Sequence, residues 1–156
     1  TLDRATAMLP RLLHERLEPL GIDFAVLYPT YGLIPTHLDD EELRRSTCRA
    51  FNQYAAECFG EYADRLTAAA CIPMHTPEEA IEELDHAVGT LGLKVVMMAA
   101  YASRPYEGKE LPRGARWLDF FGFDSPHDYD PVWKRCEELG VSPTSADAQK
   151  FDQTRY

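Results

Sequence analysis

GIDFAVLYPT (residues 21–30) and GLKVVMMAAY (residues 92–101) decide the fold. Each begins with glycine, continues as an apolar run and ends in a short turn-like segment. Residues 22–28 are apolar at both parities except for Asp23, which is the pattern of a strand covered on both faces. Residues 93–99 repeat it, and Leu66–Met74 is a third short apolar run.

Helical patterns separate these runs. Leu9, Leu12, Leu13, Leu17 and Leu20 recur at near-helical spacing, Pro10 suits a first turn and Gly21 a stop, so residues 10–20 read as an amphipathic helix. Asp39 and Asp40 can cap a long helix through about residue 62, with Leu43, Cys48, Phe51, Ala55, Cys58, Phe59 and Tyr62 as its apolar stripe. Thr76-Pro77-Glu78-Glu79 spells a capping box with proline at the first position, and Ile81, Leu84, Val88 and Leu91 follow as a buried stripe up to Gly92. Asp130-Pro131 repeats the cap-and-proline start, with Val132, Trp133, Cys136 and Leu139 inward and Gly140 as the stop. VSPTS then reads as a weak strand carrying Pro143, and residues 146–156 as a loose tail.

Strands alternating with helices imply a parallel sheet, because parallel neighbours need a crossover and the crossover helix covers a face. Two architectures meet that description, a closed (β/α)8 barrel and an open doubly wound sheet. Both place their sites at the carboxyl ends of the strands, here Tyr28–Tyr31, Pro73–His75 and Ala100–Tyr101. Neither G-x-G-x-x-G nor a P-loop occurs, so a nucleotide-binding open sheet is the weaker alternative.

The chain has 156 residues, 45% of them apolar, enough for one domain with a sizeable core. Sixteen Lys and Arg against 26 Asp and Glu give a net charge of −10, which repels phosphate backbones and anionic headgroups. Nucleic acid and membrane surfaces are therefore not expected partners. The longest apolar run is too short to span a bilayer and no signal peptide pattern is present, so the expected compartment is the cytoplasm. Cys48, Cys58, Cys71 and Cys136 lack Cys-x-x-Cys spacing and read as reduced core thiols. Because the first residue is Thr1, a natural start further upstream is expected.

The succession GIDFAVLYPTYGL, CRAFNQYAAE, DRLTAAACIPMHTPEEAIEELDHAVGTLGLKVVMM and DYDPVWKRCEELGV resembles the amidohydrolase-related proteins that include aminocarboxymuconate-semialdehyde decarboxylase. The resemblance covers about residues 10–142. It implies a metal-dependent (β/α)8 barrel that hydrolyses C–N or C–O bonds, or removes a carboxylate from a small acid. It also implies a divalent metal, most often zinc, held by a His-x-His or Glu-x-His pair on the first strand, a histidine on the fifth and an aspartate on the eighth. Residues 22–28 then match the second strand and 93–99 the fourth. None of those ligands maps onto this chain. The first strand would precede Thr1, strands six to eight would follow Tyr156, and the fifth-strand histidine falls near Thr144–Ala146, which read Thr, Ser, Ala. The expectation is a partial barrel over residues 1–145, with a lid-like insertion at 102–129 and a divergent tail at 146–156.

Among the five histidines no two share His-x-His or H-E-x-x-H spacing. His14 and His86 lie on helical patterns and read as solvent-facing, and His37 as a loop residue before the long helix. His75 follows a buried strand at the rim, where barrel enzymes place working residues, although a loop histidine beside the Thr76 cap looks the same in sequence. FDSPHDYD (residues 123–130) gathers His127 and Asp128 with Asp124 and Asp130 at the end of the lid; a cap role for Asp130 and turn roles for Asp124 and Asp128 explain the aspartates better than ligation does. His75, His127 and Asp128 are thus the rim candidates for catalysis. Arg104, Lys109, Arg113 and Arg116 give the lid local positive charge suited to a carboxylate, and Tyr101, Tyr106, Trp117, Phe120, Phe121 and Phe123 give it aromatic surface. Tyr31, Tyr101 and Arg104 are the candidates for binding a small-molecule substrate. A second reading belongs to another class: a non-catalytic module that self-associates into a homo-oligomer through open sheet edges.

Overall fold

The computed structural model describes residues 1–106 and 114–146. Lys109, Arg113 and the tail from 147 lie outside the described residues. The core is a four-stranded parallel sheet in the order β1-β2-β3-β6, formed by β1 (Ala25–Leu27), β2 (Leu66–Ile72), β3 (Val95–Ala99) and β6 (Pro143–Ala146). Its register runs Val26↔Thr67, Cys71↔Met97 and Met97↔Thr144. The long crossovers are α3 (Glu41–Phe59), α4 (Pro77–Leu84) and α5 (Asp130–Leu139), as the alternating pattern requires.

The helix starts follow the sequence signals. Asp40 accepts the Leu43 N–H at 2.8 Å, and Thr76 with Glu79 forms the expected capping box. Gly140 ends α5 in the left-handed conformation, at φ 67°. Helix α4 continues into a π-helical segment, Asp85–Thr90, before Gly92 turns the chain into β3. One face of the sheet packs Ala70, Ile72, Val96 and Met98 against Ala80, Leu84, Val132 and Cys136 from α4 and α5. On the other, Ala69, Cys71 and Met97 meet Cys48 and Phe51 of α3 together with Leu33.

Several expectations are corrected. The chain begins with a helix, α1 (Leu2–Met8), capped by Thr1, and the following helix α2 (Pro10–Arg16) is shorter than 10–20. Strand β1 is covered on one face only, with Phe24, Val26 and Tyr28 exposed. The insertion contains an antiparallel hairpin, β4 (Ala102–Pro105) with β5 (Arg116–Asp119). Its strands are four residues each, ASRP and RWLD, too short and too mixed in polarity for a period to emerge. Asp130 is the first residue of α5 rather than its cap, and its own N–H donates to Asp128 Oδ1 at 3.0 Å. Leu43 and Trp133 are exposed rather than inward, and Cys58 is half-buried.

On α3 the buried positions are Arg44, Cys48, Asn52 and Ala55. Two polar residues take core positions because each has partners waiting. Asn52 Nδ2 donates to the Cys71 carbonyl at 3.0 Å, and the Cys71 N–H donates to Asn52 Oδ1 at 2.6 Å. β1 pairs with β2 only from Leu66 to Ala68, so this side-chain amide takes the place of a neighbouring strand at Cys71.

Candidate functional site

The rim at the carboxyl ends of β2 and β3 is organised by Arg104 of the hairpin. Its Nε donates to Asp119 Oδ2 at 2.5 Å, and its Nη2 donates to the His75 carbonyl at 2.9 Å and to the Tyr129 hydroxyl at 3.1 Å. Tyr129 in turn donates its hydroxyl to the Met74 carbonyl at 2.7 Å. One guanidinium therefore joins β4, β5, the end of β2 and the start of α5. Its Nη1 makes no hydrogen bond among the described residues, and the side chain is 15% exposed.

Asp119 is 1% exposed. Burial alone would raise its carboxyl, but donation from the Phe121 N–H, Arg104 and the Ser125 hydroxyl outweighs burial and holds it below the usual carboxylate range. Beside this lies a second buried ion pair. Arg44 meets Glu79 at 2.8 Å and also donates to the Leu38 and Asp39 carbonyls. Glu79 Oε1 accepts the N–H groups of His75 and Thr76. Sequence reasoning missed Asp119, Tyr129, Arg44 and Glu79 as parts of this rim; the one available signal was Glu79 at its capping position.

His75 sits at the centre of these contacts through its backbone. Neither of its ring nitrogens has a hydrogen-bond partner among the described residues, and both are buried. Burial, reinforced by Arg44 and Arg104, pushes its pKa down to about 4, so the imidazole is neutral at pH 7. Tyr101 packs at a tilt against His37, with ring centroids 5.3 Å apart, and meets Phe120 edge-on at 6.0 Å. His37, given no role by the sequence, thereby joins the rim.

The other candidates are placed differently. His127 reaches the network through its backbone N–H, which donates to Ser125 Oγ, and its ring packs edge-on against Tyr129. Asp128 is exposed and acts as a turn former. Tyr31 is exposed on a 3-10 turn, Thr30–Leu33, and is not among the partners of Arg104. Arg116 ties the hairpin to Asp39 at 2.6 Å. Of the remaining histidines, His14 is half-buried against Asp64, at 3.0 Å, and the His86 ring is half-buried as well, so neither is simply solvent-facing.

The amidohydrolase profile matches residues 9–143. The chain belongs to the amidohydrolase family. Among solved structures, this amidohydrolase chain is similar to 2,6-dihydroxybenzoate decarboxylase in complex with 2,6-dihydroxybenzoate, with 23% identity and a TM-score of 0.69 over 90% of this chain and 40% of that one. A 2,6-dihydroxybenzoate decarboxylase from Rhizobium gives 25% and 0.64, over 83% and 36%. A dihydroxybenzoic acid decarboxylase from Polaromonas sp. JS666, with bound manganese and 2-nitroresorcinol, gives 19% and 0.68, over 86% and 37%. The amidohydrolase chain therefore spans about two fifths or less of the length of these relatives. No curated protein sequence matches it.

These likenesses establish the fold as part of a TIM-type barrel. The family's divalent metal does not fit the residues described. Among them no three His, Cys, Asp or Glu side chains converge, and the end of β6 offers Thr144 and Ser145 where the fifth-strand histidine was expected.

Proposed function

We propose that this rim is the substrate-holding side of a decarboxylase or hydrolase acting on a small carboxylate-bearing compound, with the metal chemistry supplied by other residues of the intact enzyme. The observation that carries the reading is Arg104. Three hydrogen bonds fix it, and its Nη1, which makes none among the described residues, is a charge-assisted donor for a ligand. A carboxylate accepts from such a donor without displacing Asp119.

Tyr101 and Phe120 offer aromatic surface for a planar ring beside it. His75 acts as a positioning residue, because its carbonyl holds Nη2 in place. The three dihydroxybenzoate decarboxylases among the structural neighbours favour decarboxylation over hydrolysis. Manganese in the Polaromonas relative supports a divalent metal, and zinc remains the family expectation. Residues 1–156 alone are proposed to be inactive.

Titration of 2,6-dihydroxybenzoate into the purified chain, followed by amide chemical shifts, tests the reading. The expected result is perturbation centred on Arg104 and Tyr101, weakened tenfold or more in Arg104→Gln and unchanged in Arg135→Gln. Equal binding by Arg104→Gln, or shifts centred elsewhere, sinks it.

A further inference from the structure

We propose that Glu79 is the positioning residue for Arg104: its carboxylate holds the N–H side of the peptide that joins His75 to Thr76, and the carbonyl side of that same peptide receives the guanidinium. This deepens the functional reading and rests on it only for the ligand. Glu79 Oε1 accepts the Thr76 N–H at 3.1 Å and the His75 N–H at 2.5 Å. The His75 carbonyl accepts Arg104 Nη2 at 2.9 Å, and the Tyr129 hydroxyl donates to it at 3.3 Å.

Peptide planarity turns these contacts into a lever. The Thr76 N–H and the His75 carbonyl lie in one plane and point in opposite directions, so a group that fixes the first also fixes the second. Both ends are charge-assisted, with a carboxylate on the donor and a guanidinium on the acceptor, and each polarises the peptide toward the other.

A capping role alone does not account for Glu79. The capping box needs only the Thr76 N–H. Glu79 reaches one residue further back to His75, is 3% exposed and meets Arg44 at 2.8 Å. A buried pair of this kind brings little net stability, because desolvation offsets most of the attraction. What it does fix is direction: Arg44 is itself held by the Leu38 and Asp39 carbonyls, at 2.8 and 3.2 Å, so the carboxylate it meets has one place to sit. The same short loop anchors the hairpin a second time, through Asp39 and Arg116 at 2.6 Å. Two arginines of the hairpin thus take their positions from residues on either side of the Arg44–Glu79 pair.

The experiment reads Arg104 itself in the ligand-free chain, by nitrogen NMR of its guanidinium group, with the signals assigned by their loss in Arg104→Gln. A held side chain gives separate Nη1 and Nη2 signals, and a rotating one gives a single average. Separate signals are expected for the wild type. Glu79→Asp keeps a charge that Arg44, a long side chain, can follow, but falls one methylene short of the backbone N–H groups, so the signals should average. Arg44→Met combined with Glu79→Gln loses the ion pair but keeps an oxygen for those N–H groups, so the signals should stay separate. Thr76→Val removes the other half of the capping box and should leave them separate as well. Arg104 would therefore follow the peptide contact, whereas a merely structural role would make it follow stability. Binding of 2,6-dihydroxybenzoate should weaken about tenfold in Glu79→Asp, the equivalent of one hydrogen bond to a charged group. Averaged signals in the wild type, the double variant or Thr76→Val, or separate signals in Glu79→Asp, would each overturn the proposal. Arg104 signals that behave as expected in every variant, with no response of the wild type to 2,6-dihydroxybenzoate, would instead sink the functional reading alone.

Discussion

Arg104 and Asp119 face each other across the β4–β5 hairpin at 2.5 Å, the carboxylate almost fully buried and the arginine side chain 15% exposed. Asp119 also accepts the Phe121 N–H and the Ser125 hydroxyl, so its charge is tied to the shape of the whole insertion. Replacing it by Asn keeps the volume but removes the charge, and should lower stability by about 2 kcal/mol in urea unfolding at pH 7. The carboxyl binds its proton less tightly folded than unfolded. Its contribution is therefore present above the unfolded value, about pH 4, and is lost as pH falls through the lower folded value. Asp119→Asn should lack that component of acid sensitivity.

The Arg44–Glu79 pair, 3% and 2% exposed, joins α3 to α4 directly beneath the rim. Arg44→Met leaves Glu79 charged, buried and without its cation, and should cost about 3–5 kcal/mol. Adding Glu79→Gln removes the stranded charge while keeping an acceptor for the His75 and Thr76 N–H groups. The double variant should therefore be more stable than the sum of the single losses by about 1–3 kcal/mol, measured as a double-mutant cycle of unfolding midpoints.

Which parts of this were legible in the sequence follows from where the information is local. Thr76-Pro77 with Glu79, Asp40 and Gly140 announce helix ends through contacts spanning a few residues, and the structure forms each of them. The buried strands β2 and β3 were legible because continuous apolar runs need no partner to be recognised. Asn52 and Arg44 were not, since a polar residue in a helical stripe reveals its burial only when Cys71 and Glu79 arrive from distant segments. Strand β1 misled for a related reason: its sequence is that of a two-sided strand, and one side is exposed here. At the rim, His75 and Arg104 were singled out by position and charge, whereas Asp119 and Tyr129 matter through hydrogen bonds that no spacing encodes.

His75 should make the protein acid-sensitive at a higher pH than Asp119 does. Its burial, with Arg44 and Arg104 nearby, lowers its pKa to about 4, against about 6.5 when unfolded. The unfolded chain therefore takes a proton that the folded chain refuses, so stability present above about pH 6.5 declines as pH falls toward 4. The decline attributable to this group should be about 2 kcal/mol, after allowing for partial screening by solvent. His75→Leu, which places an apolar group where the ring nitrogens have no partner, should flatten the stability profile between pH 6.5 and 4 without loss at pH 7. An unchanged profile in that variant would assign the transition to another group.

The 3-10 turn after β1 packs so closely on β2 that its glycine leaves no room for a side chain. A Cβ at Gly32 would lie 2.5 Å from Cys71 Sγ and 2.7 Å from Pro29 Cγ. Cys71 is fully buried, with its own backbone held by Asn52, and the proline ring is rigid, so neither neighbour can yield cheaply. Gly32→Ala should cost about 1–3 kcal/mol by overpacking. Gly89, in the π-helical segment after α4, has nothing within 4 Å of the same construction, so Gly89→Ala should instead stabilise by about 0.5–1 kcal/mol. Thermal unfolding of the two variants in parallel checks both signs, and a Gly32→Ala protein as stable as wild type would mean that the turn does not sit against Cys71.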